Sequence, residues 1–376
     1  MTGKEKIMSA LSREGTKELP VTIPYEGIYI RDCWEQLTEL PWWYRESLER
    51  QHVMAYYQEI YEKLDQDWLS PPCPLLGDEE NITVYEKAGC IYKKDRRDGL
   101  TRKIIRPPLG GEDLSFQADS SRKDRLPENV EELEFILTQQ CSISELTGRL
   151  SSSLCHDVSA LFPDRCTQGG VTSPLECCFW IWGYEHTMTM FCDNPSLLSY
   201  AARRILELFR TRIQEYKKCG VDLLWIEECY CDMISPTLYR TMALPFLQEL
   251  VKEIRNAGLM SVFYYTGDFS DRLDLLIDTG ADALAFEESK KGFSAEIIEI
   301  AEVIRGRCAL VSNLDAMNLL PNGDESDLRE EIKRHKEAAR LMGGRFIYGL
   351  GSPVTPGTQL ARLQTYFALA REYGNL

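Results

Sequence analysis

The sequence lacks the features that mark several common classes of protein. Its 13 cysteines include no Cys-x-x-Cys pair, so neither a disulfide framework nor a zinc ribbon is indicated. No Gly-x-Gly-x-x-Gly motif follows a strand, and no uninterrupted apolar run approaches the ~18 residues of a membrane-spanning helix. The N-terminus also lacks the apolar core of a signal peptide. We therefore expect a soluble, cytoplasmic protein.

Positive charge is also scarce. The chain has 43 lysines and arginines against 59 acidic residues, which gives a formal net charge of −16. This charge repels nucleic acid and anionic membrane surfaces, and the chain has no basic stripe of the kind that a phosphate backbone requires. We therefore expect neither nucleic acid nor a membrane as a partner.

What the sequence does contain favours an α/β barrel. From about residue 165, short apolar runs alternate with amphipathic helices, which is typical of consecutive β/α units around a parallel sheet. Five such runs begin at Val221, Met260, Ala281, Cys308 and Arg345. Strands near residues 20–28, 64–69 and 165–171 bring the total to eight, enough to close a (β/α)8 TIM barrel. An open doubly wound sheet is the alternative, but its glycine-rich phosphate loop is missing.

The first 140 residues add elements to this barrel. We predict N-terminal helices over residues 3–14 and 51–63, with an extended segment from Leu19 to Ile30 between them. Residues 81–119 are interpreted as β-hairpins, because short apolar runs alternate with Asp/Gly turns. A further helix is predicted over residues 130–140. The hairpins are an insertion, so that residues 1–376 form one TIM-barrel domain.

Polar residues follow the last five predicted strands. These clusters are Glu227-Glu228, residues 264–268, Glu287-Glu288, residues 312–315 and residues 349–353. The carboxyl ends of barrel strands converge on one mouth, where the active sites of such barrels lie. We therefore expect the functional site at this mouth, although a solvated rim would also be polar.

The second half of the chain carries an ordered set of short motifs. They are Gly183-Tyr-Glu through Asp193-Asn-Pro, Gly220-Val-Asp, Ile234-Ser-Pro, Leu244-Pro-Phe, Thr279-Gly-Ala-Asp, Ser312-Asn-Leu-Asp, Gly343-Gly-Arg-Phe-Ile and Thr355-Pro-Gly-Thr. In order and spacing this set, over residues 175–374, resembles the uroporphyrinogen decarboxylase superfamily. The resemblance implies a (β/α)8 barrel, in agreement with the strand count.

Two family signatures are missing. After the first strand the family has an arginine-rich stretch that binds a polyanionic porphyrin. The corresponding residues here, 25–32, contain a single arginine, Arg31. The branch that activates thiols binds zinc through a His-x-Cys pair and a later Cys. The resemblance aligns these ligands with Tyr264, Thr266 and Ser352. Porphyrin decarboxylation and a standard zinc site are therefore not expected, and zinc in an unusual site stays open.

The remaining branch of the family demethylates methyl donors. By this resemblance we predict a corrinoid-dependent methyltransferase, an O-demethylase component. It would take a methyl group from a small methylated substrate, an O-methyl aromatic ether, and pass it to cobalamin on a partner corrinoid protein. A decarboxylase of a non-porphyrin substrate and a scaffold relative that has lost its ligands are the alternatives. A homodimer is left open.

Candidate catalytic residues come from the polar strand ends. They are Glu228, Glu287, Tyr264 and Asp268. Ether cleavage needs a proton or a Lewis acid on the leaving oxygen. Glu228 and Glu287 would raise each other's proton affinity, or share a cation, if both faced one cavity. Strand alternation would then turn Glu227 and Glu288 away, and a register shift of one residue would exchange the pairs.

Further candidates are assigned to substrate and metal. The predicted substrate contacts are Tyr265, Trp225, Asn313, His186 and Ser352, and the predicted metal ligands, if a metal is bound, are Glu228, Glu287 and Cys229. Tyr264, Tyr265 and Trp225 would bracket an aromatic ring.

Each candidate also has a purely structural alternative. The two glutamates could instead pair with Arg240 or Arg272. Asp268 could cap a helix that starts near Ser270, and His186 could be a surface residue.

Overall fold

The computed structural model describes residues 1–110, 126–139, 148–290 and 292–376. Its strands are β1 (Trp68–Leu69), β2 (Ile82–Lys87), β3 (Cys90–Asp95), β4 (Thr101–Ile104), β5 (Cys166–Thr172), β6 (Leu223–Glu228), β7 (Met260–Tyr265), β8 (Ala283–Phe286), β9 (Ala309–Val311) and β10 (Phe346–Ile347). Seven of them form one parallel sheet in the order β1-β5-β6-β7-β8-β9-β10. This sheet curls into the wall of a barrel.

Residues 20–23 close the barrel between β10 and β1. On one side, the Thr22 amide donates to the Tyr348 carbonyl at 2.8 Å, and Val21 forms a parallel bridge with Tyr348. On the other, the Asp67 amide donates to the Val21 carbonyl at 2.8 Å. Residues 20–23 are thus the eighth extended segment of the barrel wall, and the predicted α/β barrel is confirmed.

Helices cover the outside of the barrel. They are α1 (Gly3–Leu11), α2 (Glu26–Asp32), α3 (Trp34–Leu37), α4 (Arg50–Lys63), α5 (Asp78–Asn81), α6 (Val130–Gln139), α7 (Ser153–Leu161), α8 (Glu176–Trp182), α9 (Tyr184–Asp193), α10 (Pro195–Cys219), α11 (Pro236–Met242), α12 (Leu244–Asn256), α13 (Leu273–Ile277), α14 (Ile297–Ile304), α15 (Leu319–Asn322), α16 (Glu325–Leu341) and α17 (Leu360–Tyr373). In the described ranges, none is both long and apolar enough to cross a membrane.

Helix α1 closes the amino-terminal end of the barrel. Its apolar residues Ile7 and Leu11 share one buried cluster with Leu223, Cys166 and Met260, the first residues of three barrel strands. The amide of Lys4 donates to the carbonyl of Asp164 at 2.8 Å, just before β5. Since this end is plugged, access to the interior is from the carboxyl ends of the strands.

The N-terminal region differs from the prediction in one respect. The extended segment ends at Tyr25, whose φ of 52° turns the chain into α2, so the expectation of an extended chain up to Ile30 is wrong. A positive φ in a residue other than glycine is set by its surroundings and is not readable from apolar patterning. The predicted insertion is confirmed for β2, β3 and β4, an antiparallel sheet, and residues 111–119 of it lie outside the described residues.

Candidate active site

Strand alternation determines which side chains enter the barrel. In β6, Leu223 and Trp225 contact the interior cluster, whereas Leu224 and Ile226 pack in the outer core against the helices. Because successive side chains of a strand point to opposite faces, Glu227 faces the interior and Glu228 faces the helix layer. The predicted inward pair is therefore wrong for Glu228, and the inward acid on β6 is Glu227.

The surroundings of Glu228 agree with this placement. Its side chain is fully buried, and its Oε2 accepts a hydrogen bond of 2.5 Å from the hydroxyl of Tyr239 on α11. Burial raises the pKa of Glu228 to about 7. Tyr265, which pairs with Glu228 in register, also lies in the outer core, with its ring 6.1 Å from that of Tyr239. Neither residue reaches the mouth. The predictions that Glu228 and Glu287 share a cation and that Tyr265 contacts the substrate are therefore both wrong.

A group of three polar side chains lies at the mouth beside β6. Glu176, the first residue of α8, accepts a hydrogen bond of 2.6 Å from the amide of Cys229. The thiol of Cys229 donates to Oε1 of Glu227 at 3.5 Å. One ligand atom from each of the three residues lies within 4.8 Å of the others. Cys229 thus lies with Glu176 and Glu227, and not with Glu228 as predicted.

Both carboxyls of this group hold protons more tightly than an exposed glutamate does. Burial, followed by the negative charge of Glu227, raises the pKa of Glu176 well above 4.5. Burial also raises the pKa of Glu227, and hydrogen bonds from Tyr25 and Cys229 offset part of this rise. Glu227 keeps partial solvent contact, while Glu228 has none. The mouth therefore contains a carboxyl group with raised proton affinity that a ligand can reach.

Three aromatic rings line the barrel interior next to Glu227. The rings of Trp225 and Tyr264 stack with centroids 5.1 Å apart, and Tyr25 meets both edge-on at 5.8 Å and 5.6 Å. The Trp225 Nε1 donates to the Tyr25 hydroxyl at 3.4 Å, and the Tyr264 hydroxyl donates to the Gly351 carbonyl at 2.8 Å. Trp225 and Tyr264 thus lie together as predicted, and Tyr25 takes the place expected for Tyr265.

The interior next to Trp225 is open. Gly170 of β5 pairs in register with Trp225, its backbone is exposed, and a side-chain carbon added to it would meet no atom within 4 Å. Gln168, two residues earlier on the same strand, is buried and donates from Nε2 to the Ser70 hydroxyl at 3.0 Å. Its Oε1 has no hydrogen-bond partner among the described residues. Glycine within a strand often marks the close approach of a ligand.

A second polar network lies across the mouth at β8. Oε1 of Glu287 forms an ion pair of 2.6 Å with Lys290, and its Oε2 accepts from the Gly267 amide at 2.9 Å. Lys290 also donates to the Ser352 hydroxyl at 2.7 Å, which donates to Oε2 of Glu288 at 2.7 Å. The negative charges of Glu287 and Glu227 both raise the pKa of Tyr264, after burial, the largest cause. The two networks therefore face the same ring.

Two further predicted residues, Asn313 and Asp268, have hydrogen bonds that give them structural roles. The Asn313 side chain donates to the carbonyls of Glu287 and Ala295, at 3.1 Å and 2.8 Å, so its amide positions the end of β8. Asp268 is exposed and accepts from the Ser270 amide at 2.9 Å, which stabilises a turn. The helix after it begins only at Leu273, so Asp268 is not the helix cap that was the alternative.

His186 lies exposed on α9. Its predicted substrate contact stays a prediction, because its exposure agrees equally with a surface residue.

Four residues of the mouth were not among the candidates: Gly170, Glu176, Tyr25 and Lys290. Their signals were present in the sequence. The pair Gly169-Gly170 interrupts a strand, and Glu176 follows the end of that strand by four residues. The predicted polar strand ends start at β6, so β5 and residues 20–25 contributed no candidates.

The positions of the family's usual zinc ligands do not form a zinc site here. Tyr264, Thr266 and Ser352 provide hydroxyl groups only, and all three hydroxyls donate to protein acceptors. Zinc prefers cysteine thiolates, histidine nitrogens and carboxylates. The group Glu176, Glu227 and Cys229 contains two carboxylates and one thiol and fits a divalent cation better.

A (β/α)8 barrel with a polar mouth at the carboxyl ends of its strands is the architecture that many barrel enzymes share. The family model described as uroporphyrinogen decarboxylase (URO-D) matches residues 160–373, more than half of the chain. The chain belongs to the uroporphyrinogen decarboxylase family, as the sequence motifs predicted. The family consists of enzymes.

Individual relatives are distant. The uroporphyrinogen decarboxylase of Chlorobium limicola is 22% identical over 192 residues, which is 50% of this chain and 53% of that protein. The chain thus spans about half the length of the first curated relatives it matches. The uroporphyrinogen decarboxylase of Prochlorococcus marinus is 23% identical over 83% of this chain and 89% of its own length. These low identities establish the family and leave the substrate undetermined.

Among solved structures, a methyltransferase from Methanosarcina mazei has the same fold. The two superimpose with a TM-score of 0.65 over 99% of each chain, at 17% sequence identity. The similarity extends over nearly the whole of both chains, so the two proteins share a fold beyond the barrel alone.

Proposed function

We propose that this protein is a methyltransferase that cleaves the methyl–oxygen bond of a small aromatic methyl ether and delivers the methyl group to a corrinoid protein. The observation that carries the proposal is the position of Glu227, whose pKa is raised by burial and which lies beside a group of aromatic rings and the open space in front of Gly170. The methyltransferase from Methanosarcina mazei, with the same fold over the whole chain, supports this branch of the family.

In this reaction the carbon–oxygen bond of the ether breaks, and the oxygen keeps the bonding electron pair. An unassisted phenolate is a poor leaving group, so a proton on the oxygen lowers the barrier. Glu227 is the proton donor, because burial raises its pKa and so favours its protonated form. Cob(I)alamin on the partner protein supplies the nucleophile that accepts the methyl group. The released product is a phenol.

The surroundings of Glu227 prepare it for this role. The negative charge of Glu227 is the largest charge acting on Glu176, so the two carboxyls favour states in which at least one is protonated. The Cys229 amide holds Glu176 in place, and the Cys229 thiol donates to Glu227. After Glu227 gives up its proton, the hydrogen bonds from the Cys229 thiol and from Tyr25 stabilise its carboxylate until it is reprotonated.

The aromatic ring of the substrate fits the space in front of Gly170. This space is bounded by Trp225, which pairs with Gly170 in register and whose ring contacts Tyr25 and Tyr264. Aromatic side chains bind a flat ring by stacking or by edge-to-face contact, each worth about 0.5–1.5 kcal/mol beyond area burial. The free Oε1 of Gln168 can accept a hydrogen bond from a ring substituent.

The charges at the mouth do not favour the decarboxylase alternative. A carboxylated substrate needs unpaired cations, and Lys290 is already neutralised by its ion pair with Glu287. Arg31, at the position of the family's arginine-rich stretch, is paired with Asp32 at 2.8 Å. A neutral methyl ether requires no such cation.

The test is a demethylation assay with purified protein, a corrinoid protein with its cobalt reduced, and a panel of methoxybenzoates and methoxyphenols. We expect a phenol product together with the spectral change of the methylated corrinoid, for at least one donor. Release of CO2 from any carboxylated member of the panel, without a phenol product, would contradict the proposal and favour a decarboxylase.

A further inference from the structure

Three cysteines from three separate elements meet on the flank of the barrel. Cys73 lies in the loop after β1, Cys155 in α7, and Cys219 is the last residue of α10. Their three sulfur atoms all lie within 4.8 Å of one another. All three are free thiols.

This cysteine group is separate from the mouth. Cys155 and Cys219 are buried in the outer core between the sheet and the helices, and Cys73 packs against that core from a partly exposed loop. The mouth group Glu176, Glu227 and Cys229 shares no residue with it. A ligand at the cysteine group therefore takes no part in the proposed demethylation.

We propose that Cys73, Cys155 and Cys219 bind a zinc ion. A tetrahedral zinc ion with bonds of about 2.3 Å holds its sulfur ligands roughly 3.8 Å apart, so the observed spacing requires only small side-chain movements. Thiolate sulfur is the ligand that zinc prefers in structural sites. On binding, three S–H bonds are replaced by three S–Zn bonds, and three protons pass to the buffer.

The present contacts of the sulfurs are weak enough to be replaced. The Cys155 thiol donates to the Cys219 carbonyl at 3.1 Å, and the Cys219 thiol donates to the Ser151 carbonyl at 3.7 Å. The Cys73 thiol donates to the Pro71 carbonyl at 3.6 Å. Since thiols are weak donors, the loss of these bonds costs little against metal coordination.

His156 is the candidate for the fourth ligand. It follows Cys155 in α7, and its Nε2 lies 3.1 Å from the Lys218 carbonyl, beside Cys219. The same nitrogen would lie 3.7 Å from a side-chain carbon at Gly220. If the ring turns from this carbonyl toward the sulfurs it completes a Cys3His site, and a water molecule completes the tetrahedron if it does not.

Such an ion would reinforce a backbone bridge that already joins Leu75 to Leu150, and would link both segments to the end of α10. The loop after β1 and helix α7 would be joined to the residue that precedes Gly220, where the chain turns with a φ of 79° toward β6. Strand β6 then carries Trp225 and Glu227 to the mouth. We therefore expect the metal to stabilise the fold and not to take part in catalysis.

The experiment is zinc titration and zinc X-ray absorption of the intact protein, purified under reducing conditions and freed of metal. We expect tight binding of one zinc ion with three sulfur neighbours at about 2.3 Å. Cys73→Ser, at the partly exposed position, should lose this sulfur-rich site. Cys192→Ser, at an exposed cysteine on α9, is the matched control and should keep it, as should the mouth variant Cys229→Ser.

A metal site that forms only in the native state adds its binding free energy to the stability of the fold. Removal of zinc should therefore lower the melting temperature of the wild type and leave that of Cys73→Ser unchanged. The proposal would be overturned by zinc bound only through oxygen and nitrogen, by no zinc uptake at micromolar concentration, or by a disulfide between two of the three cysteines in protein kept under reducing conditions. None of these results bears on the demethylation assay.

Discussion

Glu227 and Glu228 are adjacent and identical in chemistry, yet they lie in different regions of the molecule. Glu227 faces the barrel interior, beside Cys229 and a group of aromatic rings. Glu228 faces the helix layer and accepts a hydrogen bond from Tyr239. Burial raises the pKa of both carboxyls. A raised pKa alone therefore does not identify a catalytic acid, and the face of the strand decides which one can meet a ligand.

The difference between the two regions is access. The interior at β6 adjoins the exposed backbone of Gly170, where an added side chain would meet no atom. Glu228 itself has no exposed surface, and the region around it is filled by the buried side chains of Tyr239, Tyr265 and Arg272. Mutations at the two positions should accordingly affect different properties: catalysis at Glu227 and stability at Glu228.

The largest effect is expected for Glu227→Gln, which keeps the shape of the side chain and removes the proton. Loss of general-acid catalysis should lower kcat for demethylation by about 10²- to 10⁴-fold. Circular dichroism and the melting temperature should remain close to those of the wild type. Glu228→Gln is the matched control one residue away, and equal losses of kcat in the two variants would abolish the distinction between the two faces.

Gly170→Val tests the cavity next to Trp225. The residue has a φ that other residues can adopt, and β-branched side chains are well suited to strands, so the variant should fold. Because the valine side chain would occupy the space assigned to the substrate ring, KM should rise by about tenfold or more, which corresponds to roughly 1.4 kcal/mol. Gly170→Ala should have a smaller effect, and an unchanged KM in both variants would place the substrate elsewhere.

Glu228→Gln should change stability in a pH-dependent way. The folded-state pKa of Glu228 is raised from 4.5 to about 7, so its contribution to stability is complete below pH 4.5 and is lost as the pH rises through 7. This loss amounts to roughly 3 kcal/mol. Glutamine cannot ionise and can still accept the hydrogen bond from Tyr239.

The variant should therefore be more stable than the wild type at pH 8, and should lose this advantage at pH 4.5. Urea denaturation at the two pH values measures it. A difference that does not depend on pH would show that Glu228 does not ionise in this range.

The fold was largely predictable because it depends on patterns of many residues. Eight strands followed from the alternation of apolar runs with helices, and the β-hairpin insertion followed from its Asp/Gly turns. The turn at Tyr25 was missed because a positive φ outside glycine depends on tertiary contacts.

The site was less predictable because it depends on single residues. Neighbouring residues of a strand face opposite sides, so an error of one position changes the face. For this reason Glu228 was predicted at the mouth in place of Glu227, and Tyr265 was predicted there although it faces the outer core. Glu176 was missed because the end of β5 was not among the predicted polar strand ends, and Lys290 because its role arises from a contact with Ser352, a residue distant in sequence. Trp225, Tyr264 and Glu287 were placed at the mouth, since strand ends of a barrel must converge there.

The most direct test of the account is the pH dependence of kcat/KM for demethylation, measured for the wild type, Glu227→Gln and Glu228→Gln. A catalytic acid must be protonated, so wild-type activity should fall as the pH rises through the raised pKa of Glu227. Glu228→Gln should keep this profile, and Glu227→Gln should show a low rate without it. The account would be contradicted if Glu228→Gln lost this pH dependence. It would also be contradicted if Glu227→Gln kept both the pH dependence and the full wild-type rate.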